Sequence, residues 1–513
     1  MAVPAMLPRQ AAVVDCGTSS VRAYIAEIRG DDQLIIEDLS YPIDLTTGFT
    51  AEKLDRESMD GVIEAFAAIA KTATEYGVAQ LRSVATSALR EASNSDVLVE
   101  LLRSRVGVDL EIIDSAEEAR LYFEALRVVL AKTGTTLDGT NLMIDLGGGS
   151  SSLSLIRGGK LVHSVDEHFG TVRLCEQFKD LRDSDDFAIT VDRYSLGAAK
   201  MMLSRMPDAK PERLVVTGGE IRRLLSLLQP RLKGKLIAPL PAAKVEDWCA
   251  RMQPLTPLQR GEACKTDAQH AMLMMPAGCL VRHLCALTGI DTVLVPQMTL
   301  RDGLLADLLP GAHGPHHLDK DHLIAEAQQL VRRYGGNLEY AENTANLAVQ
   351  IFDQTRPLHG LDDRHRTLLE FSALVHDIGS YINVRNRHKH TMYVIQSADI
   401  AGLSKGEKEM VAHVARYHRR SPPQSHHTAF QSLPRRNRVV VAHLAAILRL
   451  AYALDVERSQ RIRKLRCEVA RNRLLIHVDR RQIALERWSL AGKSQMFDEV
   501  FGLKAQVVPL EEA

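Results

Sequence analysis

One short pattern occurs twice in this chain, and it limits the available folds more than any other feature. Residues 11–28 (AAVVDCGTSSVRAYIAEI) read as an apolar strand ending on Asp15, a turn of Gly, Thr and Ser, and a second strand with alternating apolar positions. Residues 141–156 (NLMIDLGGGSSSLSLI) repeat that plan around Asp145, about 130 residues later. A repeat of that length, with helices and strands between its copies, predicts a duplicated α/β domain rather than an array of short units. Residues 210–224 (KPERLVVTGGEIRRL) add a third strand, glycine turn and helix.

The same residues point to phosphate chemistry. Glycines let backbone N–H groups approach phosphate oxygens closely, and neighbouring hydroxyls add donors. Gly17, Thr18, Ser19 and Ser20 would form one such cradle, and Gly147, Gly148, Gly149 and Ser150 the other. Asp15 and Asp145 stand at the strand ends beside them, placed to hold a divalent cation directly or through water. A single glycine turn after a strand is more often plain structure. Two of them facing each other across a cleft, with Thr217-Gly-Gly-Glu220 nearby, reverse that balance.

Glu118 lies in EIIDSAEEARLYFEAL (111–126), where helix periodicity begins that puts Ala119, Tyr122, Leu126 and, beyond the segment, Val129 along one face. Glu118 has two readings. Ser115-x-x-Glu118 is a capping-box pattern, in which the glutamate serves the helix end. In a phosphate-hydrolysing site, the same carboxylate would orient water and take its proton.

Composition narrows the class. The 513 residues are enough for three or four domains, and 45% apolar with 25% charged residues describes a globular chain rather than a disordered one. No apolar run is expected to reach the ~20 residues of a membrane helix. The first residues lack a signal-peptide core, and seven cysteines without a CxxC spacing argue against a disulfide framework or zinc knuckle. The expectation is a cytoplasmic protein with reduced thiols and no membrane partner.

Lysine plus arginine and aspartate plus glutamate both total 64, but the balance is uneven. Residues 381–490 hold 22 basic against 8 acidic residues, and 15 of the 19 histidines lie beyond residue 311. Such a bias is either a solvated basic face or a surface that holds a polyanion. With aromatic residues at only 5% and not interleaved with basic ones, base stacking and specific nucleic-acid binding are not expected. Residues 309–320, rich in Pro, Gly and His, read as a linker. Beyond it, helical patterns run over 320–333, 340–355, 363–377 and 438–455, and 465–490 alternates like two strands.

Taken together, VVDCGTSSVRAYI (13–25), TSALREASN (86–94), EIIDSAEEARL (111–121), MIDLGGGSSSLSLI (143–156), EHFGTVRL (167–174), VVTGGEIRRL (215–224) and LRDGLL (300–305) resemble the exopolyphosphatase/guanosine pentaphosphate phosphohydrolase (Ppx/GppA) family. VHDIG, HKH and RYHRR between 375 and 420 extend the resemblance over nearly the whole chain. It implies an α/β fold of duplicated actin-like type, the acetate and sugar kinase/Hsp70/actin fold, followed by a helical HD-like domain and a small α+β tail. The implied boundaries are 1–130, 131–310, 311–460 and 461–513.

The resemblance also implies roles. Glu118 becomes the water-activating base, Asp145 and Asp15 the metal-associated carboxylates, and Arg90 the arginine facing the terminal phosphate. The implied cofactor is Mg²⁺ or Mn²⁺. The implied partners are inorganic polyphosphate, guanosine penta- or tetraphosphate, and a second copy of the chain. The expected activity is exopolyphosphatase; a guanosine pentaphosphate phosphatase, or a sensor of either ligand with weakened catalysis, are the alternatives.

Three positions depart from the family pattern: Ser19 replaces an asparagine, Ser152 a glutamate and Asp302 a glutamate. Loss of the carboxylate at 152 opens the way to reduced activity or an altered metal demand. In the carboxy-terminal part, His376–Asp377, His388, His390, His413 and His418 resemble HD metal ligands, but Asn343 and Tyr452 stand where two further ligands belong. The favoured expectation is a helical scaffold with a basic track through Arg416, His418, Arg419 and Arg420.

Overall fold

Apolar alternation and β-branched residues build three sheets, two of them on one plan. The computed structural model describes residues 9–309 and 320–509, apart from 30–31, 47–51, 183, 185, 207–209, 399, 401 and 480–482. The chain divides into two units, Met1–His317 and Leu318–Ala513. The expected linker at 309–320 falls almost wholly outside the described residues, as does the start of the chain.

In the first unit, β1 (Arg9–Cys16), β2 (Ser20–Arg29), β3 (Asp32–Pro42), β4 (Gln80–Ala85) and β5 (Leu110–Ile112) form a sheet in the order β3-β2-β1-β4-β5. The second sheet comprises β6 (Thr140–Leu146), β7 (Ser151–Arg157), β8 (Lys160–Glu167), β9 (Arg213–Thr217), β10 (Ile237–Pro241) and β11 (Thr292–Pro296), ordered β10-β11-β9-β6-β7-β8. Both begin with an antiparallel meander and continue with two parallel strands on the other side of the first strand, and the second sheet then ends on β10, antiparallel to β11. Each meander also carries one register shift, at Ile25/Ala26 and at Leu155/Ile156. The duplication expected from the sequence is therefore present in the meander, the parallel strands beside it and the bulge position, and the added edge strand β10 departs from it.

Parallel strands need crossover helices, and these cover the sheets. Three matter for the site: α1 (Ser115–Thr133), α2 (Gly219–Leu228) and α3 (Ala268–Thr288). Arg435–Leu454 in the second unit and α3 are, contrary to expectation, long and apolar enough by length and composition to cross a membrane. Of their most apolar stretches 67% (α3) and 72% (Arg435–Leu454) are buried inside the protein, so the apolar surface packs in the core. All seven cysteines are free thiols.

The second unit packs helices Leu338–Gln354, Asp363–Val375, Lys405–Tyr417 and Arg435–Leu454 around a core that includes Phe352, Phe371 and Ile447. It ends in a three-stranded sheet, with β12 (Leu465–Ala470) antiparallel to β13 (Arg473–Val478) and β13 parallel to β14 (Lys504–Pro509).

Candidate active site

The two glycine turns fold alike. Gly17 N–H donates to the Ser20 carbonyl at 3.0 Å, and Gly147 N–H to the Ser150 carbonyl at 3.1 Å. Each turn joins an Asp-bearing strand to its antiparallel partner, so the ladder sets Arg22 directly opposite Asp15 and Ser152 opposite Asp145. The turns meet across a cleft. A Cβ on Gly149 would lie 2.3 Å from Ser87 Oγ and 3.0 Å from Thr18 Oγ1, so the two hydroxyls sit against the second turn. Gly218 is an obligatory glycine: its φ is +132° and a Cβ would lie 2.5 Å from the Leu146 carbonyl oxygen.

The resulting cleft, of about 150 Å³, is lined by Asp15, Gly17, Thr18, Ser19, Ser20, Glu118, Asp145, Gly147, Gly148 and Ser150, as expected. Gly149 packs behind that lining. Arg22, Tyr122, Thr217, Glu220 and Arg222 also line it. The strand register could have revealed Arg22, because a four-residue turn after Asp15 makes it the cross-strand partner. Arg222 had a weaker signal, its place in the first turn of a helix that follows two glycines.

Glu118 is not a helix cap. Asp114 is the N-cap of α1, accepting the Glu117 N–H at 2.9 Å, which makes Ser115 the first helical residue and corrects the expected capping box. Glu117 occupies the third helical position instead and turns inward. It pairs with Arg120 at 2.7 Å and Arg82 at 3.2 Å, and both arginines reach Asp307. Glu118 is thereby left facing the cleft. The helix is seated from the other side by Gly303, where a Cβ would lie 2.0 Å from the Leu121 carbonyl oxygen. That contact, and the capping box of Thr299 with Asp302, explain the LRDGLL segment.

Arg90 departs from its expected position. It does not line the cleft; its Nη1 donates to Glu118 Oε2 at 3.1 Å and to the Ile113 carbonyl at 2.9 Å. Burial works against its charge, but Glu118 and Asp166 outweigh burial and hold the guanidinium protonated.

The carboxylates crowd one another. Burial pushes the Asp15 carboxyl up to about 6, with Arg22 and Arg301 pulling the other way and Glu118 adding to the rise. Asp145, 5% exposed, is driven well above its ordinary range by burial and then by Glu118, despite a hydrogen bond from Tyr122 and the nearby Arg222. Its Oδ1 is buried without a hydrogen-bond partner. Among the described residues no group of three or more His, Cys, Asp or Glu side chains has the spacing of a protein metal cage. Buried, mutually repelling carboxylates with an orphaned oxygen nonetheless suit a hard cation. Mg²⁺ keeps most of its water and takes one or two carboxylates, so Asp15 and Asp145 fit it.

In the second unit, Asp377 is occupied by two guanidiniums: Arg387 Nε lies 2.6 Å from Oδ1 and Arg458 Nη2 2.7 Å from Oδ2. Asn343 donates to Asp455, and Tyr452 accepts from Arg387. His376, His388, His413 and His418 are all buried, and burial lowers the pKa of each. His418, expected on the basic track, is 0% exposed and adds no charge to a surface, because an imidazolium so enclosed would lose its hydration. Arg416 lies 5.5 Å above the Tyr417 ring, Arg419 is half-buried and Arg420 is exposed.

Residues 39–312 match the sequence model of the Ppx/GppA phosphatase family, and residues 324–494 that of Ppx/GppA phosphatase domain III. The guanosine-5′-triphosphate,3′-diphosphate pyrophosphatase of Aeromonas hydrophila is 25% identical over 425 residues, covering 78% of this chain and 79% of that protein. An exopolyphosphatase from Cytophaga hutchinsonii superposes with a TM-score of 0.53 at 21% identity, over 59% of this chain and 99% of that one. The Aquifex aeolicus Ppx/GppA family member gives 0.51 at 21% identity, over 59% and 97%.

Proposed function

The chain belongs to the Ppx/GppA phosphatase family, and on that premise we propose that it removes the terminal phosphate from a phosphate chain held between its two glycine turns. The observation that carries this reading is the placement of Glu118, released from any capping duty, in a cleft walled by both turns.

Backbone N–H groups and the hydroxyls of Thr18, Ser20 and Ser150 would grip the last phosphates, with Arg22 and Arg222 adding positive charge. Glu118 would accept a proton from water as its oxygen bonds the terminal phosphorus and the bridging P–O bond breaks, releasing orthophosphate. Arg90 is a positioning residue that fixes the Glu118 carboxylate. Asp15 and Asp145 would hold Mg²⁺, or Mn²⁺, which when bound supplies charge neutralisation on the phosphoryl oxygens.

Two substrates present such an end. Inorganic polyphosphate is the one favoured by the basic carboxy-terminal half, where Arg416, Arg419 and Arg420 would hold a long chain. The 5′-triphosphate of guanosine pentaphosphate is supported by the 425-residue match to the Aeromonas enzyme. The second unit would act as an HD-like scaffold without metal, since guanidiniums occupy Asp377. A dimer in the cytoplasm completes the reading.

The test is orthophosphate release with Mg²⁺ from long polyphosphate and from guanosine pentaphosphate, by wild type and Glu118→Gln. Release that vanishes in a folded variant supports the hydrolase; no release by wild type from either substrate, with binding retained, would make the protein a sensor. Raising salt should weaken long polyphosphate more than short, and an equal effect on both would remove the basic track from the account.

A further inference from the structure

A row of three side chains runs back from the cleft across the second sheet. The ladder sets Ser152 of β7 opposite Asp145 of β6, and Asp166 of β8 opposite Ser152, so all three stand on one face. Asp145 lines the cleft and the other two do not. Two oxygens of the row are left over: Asp145 Oδ1 and Ser152 Oγ, in residues 5% and 7% exposed, have no hydrogen-bond partner among the described residues. Asp166 is half-buried. The row is joined at its two ends by the groups described above. Asp166 acts through space on Arg90, Arg90 bonds Glu118, and Glu118 acts on Asp145. Three carboxylates against one guanidinium leave that circuit negative when all are ionised.

Covered oxygens without partners are costly, and surplus negative charge beside them favours a cation. A hydrated divalent ion meets both needs, because Mg²⁺ keeps several waters and each water donates. Asp145 and Asp166 stand two strand spacings apart, about 10 Å between Cα atoms. Two oxygens bound to one Mg²⁺ are only about 4 Å apart, so that separation suits one carboxylate on the ion and the other on one of its waters. We propose that Asp166 is a positioning residue for the divalent cation, its carboxylate accepting a hydrogen bond from water held by the ion on Asp145, with the Ser152 hydroxyl bonding in the gap between them. The proposal rests on the reading of Asp145 as a metal-associated carboxylate. It gives Asp166 two duties, orienting the ion's water and facing Arg90, and so couples the cation to the pair that fixes Glu118.

The experiment reads metal binding without turnover: Mn²⁺ from the EPR signal of the free ion, and Mg²⁺ by competition against it. Wild type is compared with Asp166→Asn, Ser152→Ala, Asp145→Asn and Glu167→Gln. Affinity should fall about tenfold in Asp166→Asn, as it does when the outer partner of a metal site is lost. Glu167 follows in β8, faces the other side of the sheet and pairs with Arg205 at 2.7 Å. Glu167→Gln removes the same charge and should leave affinity within about twofold, because charge on the far face is screened. Unchanged affinity in Asp166→Asn overturns the proposal, and a lowered kcat beside it would make Asp166 a support for Arg90 alone. An equal fall in Glu167→Gln also overturns it, since bulk charge would then suffice. Should Asp166→Asn not fold, Ser152→Ala decides in its place: affinity should fall severalfold, and no change counts against the proposal. If wild type binds neither ion, or Asp145→Asn binds as wild type does, the metal reading of Asp145 fails and the proposal with it. Loss of binding in Asp145→Asn with none in Asp166→Asn removes the proposal and leaves that reading standing.

Discussion

Arg90 Nη1 donates to Glu118 Oε2 at 3.1 Å, joining the helix that follows β4 to the first turn of α1. The same nitrogen donates to the Ile113 carbonyl, so the guanidinium is fixed to backbone on one side and to the carboxylate on the other. Removing the carboxylate as Glu118→Gln should lower kcat by about 10²–10⁴-fold with little change in stability, because Asp114 caps the helix. Arg90→Ala should lower kcat by about 10²-fold, mainly through misplacement of Glu118, with Arg90→Lys recovering part of it. Steady-state kinetics check both. A large rise in KM with kcat intact would instead put Arg90 on the phosphate.

That pairing was outside the reach of the sequence, whereas the residues themselves were not. Asp15, Asp145 and both glycine turns were legible because strand, turn and strand are local in sequence and were repeated. Arg22 was one inference away, through hairpin register. The Glu117–Arg120–Asp307 cluster spans 187 residues between Arg120 and Asp307, and no local pattern reports such a contact. His418 failed for another reason: counting charges along the chain cannot distinguish a buried imidazole from a surface one. The capping box failed because Asp114 and Ser115 are both good caps and the sequence cannot say which one leaves the helix.

Asp15 gives the metal-free protein a pH dependence. Its carboxyl ordinarily titrates near 3.8 and is raised to about 6, so the fold favours the protonated form. The stabilisation is full below about pH 3.8 and is lost as pH rises through about 6. In EDTA the melting temperature should therefore fall as pH rises from about 4 to about 6, by the equivalent of about 1–3 kcal/mol, and saturating Mg²⁺ should restore it. Asp15→Asn should flatten that profile. Asp145→Asn should raise the melting temperature in EDTA while abolishing turnover. Differential scanning fluorimetry over pH, with and without Mg²⁺, reads all of these outcomes.

Arg120 is 2% exposed and is shared by Glu117 and Asp307, with Arg82 completing the cluster. Deleting one member of a buried ion cluster strands its partners, so Arg120→Met should destabilise the first unit by about 3–5 kcal/mol. The double variant Arg120→Met with Glu117→Gln should recover part of that loss, since one stranded charge has gone. Urea unfolding of wild type, Arg120→Met, Glu117→Gln and the double variant measures the coupling, and a double variant no more stable than Arg120→Met would show the cluster to be less coupled than its distances imply.

Ser152 sits between two acids. The ladder pairs it with Asp145 on one side and Asp166 on the other, which puts all three side chains on one face of the sheet. It is 7% exposed, and its Oγ has no partner. A glutamate there would put a third carboxylate in that row, beside the buried Asp145 and the half-buried Asp166, and like charges so close resist ionising together. In EDTA, Ser152→Glu should lower the melting temperature, and Mg²⁺ should more than recover it by drawing the carboxylates together. Mg²⁺ affinity should rise about tenfold, as an added carboxylate ligand would give. A concurrent gain in turnover would mean that serine at this position restrains catalysis in the natural chain. A loss of stability that Mg²⁺ does not reverse would place residue 152 outside the reach of the metal, and the family's carboxylate would then have been lost here without cost.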